Sequence, residues 1–378
     1  MSKTITFIGD VMLGRIIGTK YARQKYEVVS RELVKSVNDS DYVIANLESP
    51  VVETADTNGD HLQFKGNPDV LDDLGWINAF SLSNNHINDT GNLGMDETVG
   101  ILEKKGFSHN GLFVGKYEPL LYEQDGEKIA IVTITDMMNI PFAEDCAWDI
   151  LRVGEDRVLP ILSRYHDMGY CVILFAHIGI LFCRYPNPVT YEYLHKCVDA
   201  GADIVVTAHS HCLGCMETYN GKPIFHSLGD FVMDGNSFRR RRSAALKLVV
   251  EGRSVLNWEL VPAEINMQYE TVCPPEKTSA RMQAGFNSVS RKLAAHSERY
   301  AKYFKYRYKV ELLNHIFSTL GFLIKQRGVV GMFKMVFQRF EEVGRMFKWM
   351  SKDRSKDQRD DDAIKADRKK FSQDELFN

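Results

Sequence analysis

Apolar residues along this chain fall into short runs separated by longer amphipathic stretches. Six runs of strand length occupy residues 5–8, 42–45, 79–83, 129–134, 171–176 and 204–207. A continuous apolar run of about four to eight residues fits a strand covered on both faces. Alternation of such runs with helix-length segments predicts a layered α/β domain, with helices over a largely buried sheet. The helices are expected at 21–37, 94–105, 155–166 and 191–199. From Lys222 the rhythm becomes strand, turn, strand, through 224–227, 244–250 and 256–261, so antiparallel strands are expected to complete the domain.

Near residue 265 the character changes, and turn-rich sequence with Pro274-Pro275 leads into long helical patterns rich in Lys, Arg, Phe and Met. The division expected is a domain at 1–264, a basic, amphipathic helical appendage at 265–350, and a tail at 351–378. That tail carries charge (Lys352-Asp353-Arg354, Asp360-Asp361-Asp362) and few apolar anchors, the composition of a disordered segment. With 378 residues, 44% of them apolar, the chain is long enough for one large core plus an extension. A net charge of -3 gives no global drive toward nucleic acid, and no nucleic-acid partner is expected. The first apolar run is too short for a signal segment or a membrane span, and seven cysteines without framework spacing suit a reducing compartment. A cytoplasmic location is expected, with the inner face of a membrane as a peripheral site.

Chemistry-bearing residues gather at strand ends. Gly9-Asp10, Asn46-Leu47-Glu48, Asn84-Asn85-His86, His177-Ile178-Gly179, Ala208-His209-Ser210-His211 and Gly229-Asp230-Phe231 each stand at or just after an apolar run. In open α/β sheets ligands bind beyond the carboxyl ends of the strands, so these segments can converge. Asp10, Glu48, Asn85, His177, His209 and His211 then combine carboxylate and amide oxygens with imidazole nitrogens and no thiolate. That donor set suits Mn, Fe or Zn in an open catalytic site rather than a structural zinc cage.

The series Gly9-Asp10, Asn46-Leu47-Glu48, Asn84-Asn85-His86 with Asp89 and Gly91, His177 with Gly179, His209 with His211, and Gly221-Lys222-Pro223-Ile224 running into Ser227-Leu228-Gly229 resembles the bacterial capsule-synthesis protein CapA family, over residues 3–262. That family is associated with poly-γ-glutamate and capsule production and is similar to the calcineurin-like metallophosphoesterases. The resemblance implies a metallophosphoesterase-like (calcineurin-like) α/β sandwich with a C-terminal helical appendage. It implies a metal-dependent hydrolase or transferase linked to capsule, exopolysaccharide or poly-γ-glutamate biosynthesis, acting on an anionic polymer or a phosphoester. One or two divalent ions are implied, with Asp10, Glu48 and His211 serving one and Glu48, Asn85, His177 and His209 the other. Glu48 would bridge. His86 would give a proton to a leaving oxygen, oriented by Asp89. The chain departs from the phosphoesterase pattern at Met12, a thioether where the motif Asp-x-His has its imidazole, and one ligand is lost. A non-catalytic assembly factor that binds polymer and recruits a membrane synthase is the rival reading.

Three further signals remain. Cys212-Leu213-Gly214-Cys215 has the spacing of a redox pair, but no second pair completes a zinc cage, and two ordinary thiols in a loop are expected. Arg239, Arg240 and Arg241 offer guanidinium forks to an anionic substrate, with a solvated hairpin tip as the alternative. Residues 310–350 interleave aromatic and basic side chains, which fits either helices packed on the domain or contact with a membrane surface or a membrane synthase.

Overall fold

The computed structural model of the chain describes residues 1–57, 63–154 and 156–338. Four parallel strands come first: β1 (Lys3–Val11), β2 (Tyr42–Leu47), β3 (Ala79–Ser81) and β4 (Ser108–Asn110), with α1 (Arg15–Arg23), α2 (Arg31–Val37) and α3 (Gly91–Lys104) between them. β5 (Leu112–Phe113) pairs with the later β8 (Asp149–Ile150) in a small ribbon. A second sheet takes β6 (Leu120–Gln124), β7 (Glu127–Thr135), β9 (Cys171–His177), β10 (Ile204–Ala208), β11 (Cys215–Tyr219) and β12 (Lys222–His226), and its helices are α4 (Val158–Asp167) and α5 (Pro188–Asp199). The chain then returns to the first sheet through β13 (Asp230–Val232), β14 (Arg242–Glu251), β15 (Ser254–Ile265) and β16 (Thr271–Val272) before α6 (Glu276–Ala294) and α7 (Tyr300–Gln338), which is broken by a kink at Gly328 (φ 71°, ψ 169°). In space the first sheet runs β16-β15-β14-β1-β2-β3-β4, with β13 beside β1, and the second runs β11-β12-β10-β9-β7-β6.

The period of two along each strand assigns side chains to layers. From β1, Ile5 and Phe7 enter the core between the sheets, while Ile8 and Val11 pack under α1 to α3. From β9, Ile173 and Phe175 enter that same central core, while Val172 and Leu174 pack under α4 and α5. Phe7 and Phe175 meet edge to face across the sheets with ring centroids 5.2 Å apart. The result is a four-layer helix–sheet–sheet–helix sandwich, and β14 and β15 pair antiparallel as expected.

One expected helix is two. Residues 21–37 divide between α1 and α2, because Val29 bridges to Thr271 and Ser30 accepts a hydrogen bond from the Leu33 amide at 3.4 Å, capping a new helix. The helix expected from 155 is α4, starting at Val158, and Glu155 lies outside the described residues. So do 339–350 of the appendage and the whole tail at 351–378.

The described part of the appendage packs on the sandwich. Phe286 of α6 reaches the core between the sheets, and Leu293, Tyr300, Phe304, Tyr308 and Leu312 cover Cys183, Tyr185 and Tyr191. Glu311 of α7 is fully buried and gathers three arginines, Arg184 (3.0 and 3.1 Å), Arg307 (3.2 Å) and Arg239. Among the described residues no helix is long and apolar enough to cross a membrane.

Candidate metal centre

Asp10 is the last residue but one of β1, the central strand of the first sheet, where the pairing of β1 with β2 slips between Ile8 and Asp10. Gly9 makes this possible: a Cβ there would stand 2.0 Å from the Gly229 carbonyl oxygen, and that same oxygen accepts from the Asp10 amide at 3.1 Å. We expect Gly9→Ala to destabilise the protein by about 3 kcal/mol, at the upper end of overpacking costs, because the contact is backbone and cannot swing aside. Chemical denaturation measures it, and a loss within error of zero would mean that β1 and the 229 turn separate freely.

Glu48 follows β2, His177 closes β9, and His209 and His211 lie in the loop after β10. Both loop histidines have positive φ, 95° and 56°, backbone strain of the kind that gathers where side chains must be aimed. All six candidates, Asp10, Glu48, Asn85, His177, His209 and His211, are buried and are brought together. Around His177 Nε2 stand Asn85 Oδ1 at 2.7 Å, His209 Nδ1 at 2.9 Å and Glu48 Oε1 at 3.5 Å. On the other side, His211 Nδ1 lies 3.4 Å from Asp10 Oδ2, and His211 Nε2 lies 3.7 Å from Glu48 Oε1. Two groups, Glu48 with His177 and His209, and Asp10 with Glu48 and His211, each have donor atoms within 4.8 Å of one another and share Glu48.

The electrostatics fit a cation. Both carboxylate oxygens of Glu48 are buried and, among the described residues, accept no hydrogen bond. Burial is the main cause that pushes its carboxyl well above the usual range, and the neighbouring Asp10 and Asp230 add to it. A buried carboxylate with no donor is costly unless an ion compensates it. Burial also opposes the charge on Asp10, but hydrogen bonds and charge from His177 and His211 outweigh it and hold its carboxyl well below the usual range. Burial lowers the imidazole of His177.

Residues that sequence reasoning quoted without assigning a role fix the ligand geometry. Asn46 donates to Asp10 Oδ1 at 2.8 Å, with its amide nitrogen 3.0 Å from His177 Nδ1. Asp230 lies 2.6 Å from His211 Nδ1 and takes Arg240 Nε at 3.1 Å, a carboxylate behind a candidate ligand histidine. His86 and Asp89 pair at 2.6 Å in the turn after β3. Phe64 stacks on the His86 ring at 3.8 Å, its amide donates to Asp89 at 2.6 Å, and the Asn139 amide nitrogen lies 3.2 Å from His86 Nε2. Phe64 and Asn139 come from loops that carry no sequence signal. The thioether of Met12 is turned into an apolar cluster with Phe64, Met233 and Ile265 and accepts from the Gly14 amide.

The three arginines do not form a solvated tip. Arg239 is bound to Glu311, and the Arg241 guanidinium is buried against the carbonyls of Gly235, Ile265 and Asn266 and the rings of Tyr269 and Phe322. Of the three, Arg240 reaches the candidate metal centre, through Asp230. Cys212 and Cys215 are buried free thiols, and burial raises both pKa values, so neither stands as a reactive thiolate.

A four-layer sandwich with a carboxylate shared between two histidine-containing groups at its strand ends defines a calcineurin-like α/β fold with a candidate divalent-metal centre. The family model described as "Bacterial capsule synthesis protein PGA_cap" matches residues 4–235, and the chain belongs to that family. It is similar to the "PGA biosynthesis protein CapA" of Bacillus subtilis (strain 168), 29% identical over 74% of this chain and 75% of that one. It is also similar to the "Capsule biosynthesis protein CapA" of Bacillus anthracis, 28% identical over 82% of this chain and 78% of that one. A "Probable polyglutamine synthesis accessory protein" of Mycobacterium tuberculosis (strain CDC 1551 / Oshkosh) is 26% identical over 41% of this chain and 44% of its own.

Proposed function

We propose that this protein is a metal-dependent hydrolase or transferase of capsule or poly-γ-glutamate biosynthesis, acting on a phosphoester or on an amide-linked anionic polymer. The observation that carries the proposal is Glu48, a buried carboxylate without a hydrogen-bond donor, set between two groups of candidate ligands. Asp10, Glu48 and His211 would hold one divalent ion, and Glu48, Asn85, His177 and His209 a second. When bound, such ions supply positive charge against the negative charge that develops on oxygen in the transition state. The remaining work belongs to the chain. Asp89 holds the His86 ring at Nδ1, Phe64 covers one ring face and the Asn139 side-chain amide stands beside Nε2, so Nε2, with Asn139 next to it, is the ring nitrogen that would give a proton to a leaving group. Arg240 fixes Asp230, and Asp230 fixes His211. The names of the Bacillus relatives support the polymer as the biological setting.

The packing of Met12 away among apolar side chains favours a second reading, a polymer-binding assembly factor with a depleted centre. One experiment separates them. The metal-stripped protein is reloaded with Mn and assayed on a phosphodiester and on poly-γ-glutamate, beside His86→Ala. Catalysis predicts metal-dependent turnover that falls by about 10²- to 10⁴-fold in the variant, the range for a lost general acid, with metal content unchanged. A protein that takes up no metal and is inert on both substrates rejects the enzyme reading.

A further inference from the structure

The two sides of α7 have opposite characters. Its inner side carries Phe304, Tyr308, Glu311 and Phe322, all buried. At 3.6 residues per turn, the opposite side carries Tyr306, Val310, Leu313, Phe317, Leu320 and Ile324, spaced alternately by four and three positions. Four of these are well exposed: Tyr306 65%, Leu313 52%, Phe317 68% and Ile324 39%. An apolar stripe of this length on the outside of a folded domain marks an interaction surface.

The charges beside the stripe identify its occupant. Lys302, Lys305, Lys309, Lys325 and Arg327 are exposed, and Glu311, the one acidic residue between positions 300 and 329, is buried against its three arginines. Every exposed charge on this stretch is therefore positive. Pairing of α7 with its own copy would set lysine against lysine, whereas helical seams are held by opposite charges at their flanks. An aromatic and aliphatic face bordered by lysines matches the zone between lipid headgroups and acyl chains, where the rings insert and the ammonium groups meet phosphate.

We infer that α7 seats this protein on an anionic phospholipid surface, lying in the interface rather than spanning it. The seat is independent of the chemistry at the metal centre. The inner side of the same helix reaches toward that centre: His315 stacks on Phe182 at 4.1 Å, and Phe182 stands 6.3 Å from His211. Lipid would thus lie on the far side of a helix whose near side backs the centre.

The test is co-sedimentation of the full chain with vesicles of phosphatidylcholine alone or mixed with phosphatidylglycerol. The protein is expected to sediment with the mixed vesicles, and raised salt is expected to release it. Phe317→Ser with Leu313→Ser, and separately Lys302→Glu with Lys309→Glu, should each weaken the partition by about tenfold or more. The thermal midpoint of each variant is measured alongside, because all four positions face solvent and the fold should survive. Equal binding to neutral vesicles, no binding to either, or variants that bind like the parent would overturn the proposal. So would a dimer in sedimentation velocity that Phe317→Ser dissolves while vesicle binding is absent, because the stripe would then serve a second copy.

Discussion

Replacing Glu48 with glutamine is expected to abolish metal-dependent turnover, by roughly a thousandfold or more, while leaving the metal-free protein at least as stable as the parent. Both candidate ion positions share this side chain, so one amide weakens both together. The stability half of the prediction follows from burial. In the metal-free fold the carboxyl is held well above its usual pKa, chiefly by desolvation, so folded stability falls as pH rises from the ordinary glutamate range through that raised value. The neutral amide carries no such penalty. Thermal melts near neutral pH with and without Mn read both halves: metal should raise the midpoint of the parent and not that of the variant. A variant that gains as much from metal as the parent would remove Glu48 from the centre.

The second large effect is structural. Glu311→Gln leaves Arg184, Arg239 and Arg307 around a neutral amide, and breaking a buried pair on one side typically costs about 3–5 kcal/mol. Burial opposes the charge on Glu311, but hydrogen bonds from Arg184 and Arg239 and their charge outweigh it and hold its carboxyl at about 2. A carboxyl depressed in this way stabilises the fold fully above its unfolded pKa near 4.5 and loses that contribution as pH falls toward about 2. Urea titrations of parent and variant should therefore differ most at neutral pH and converge as the solution is acidified. A gap that persists unchanged into acid would assign the loss to packing rather than to charge.

The central strands were readable because each is covered on both faces and shows as an unbroken apolar run, as at 171–176 in β9. β6 was not, because Leu121, Glu123 and Gln124 lie exposed at a sheet edge and carry no such run. The residues that gather in the candidate metal centre were legible by type and by their place at strand ends. Their supports were harder: Asn46 and Asp230 sit within motifs but look like ordinary polar residues until His177 and His211 are placed beside them. The partner of Arg239 was hidden for a long-range reason. That counter-charge, Glu311, lies 72 positions further on in a helix, and nothing local distinguishes an arginine bound there from one in water.

The order of strands in the first sheet sets when the centre can exist during synthesis. β1 emerges first, yet its neighbours are β2 on one side and β14 on the other, where Lys3 pairs with Val250. Asp10 rests on the carbonyl of Gly229, and His211 on Asp230. A nascent chain on the ribosome therefore holds Asp10 and Glu48 long before His177, His209 and His211, the other candidate ligands, have been made. A fragment cut where the family match ends, at residue 235, would expose the hydrogen-bonding edge of β1 to any passing strand.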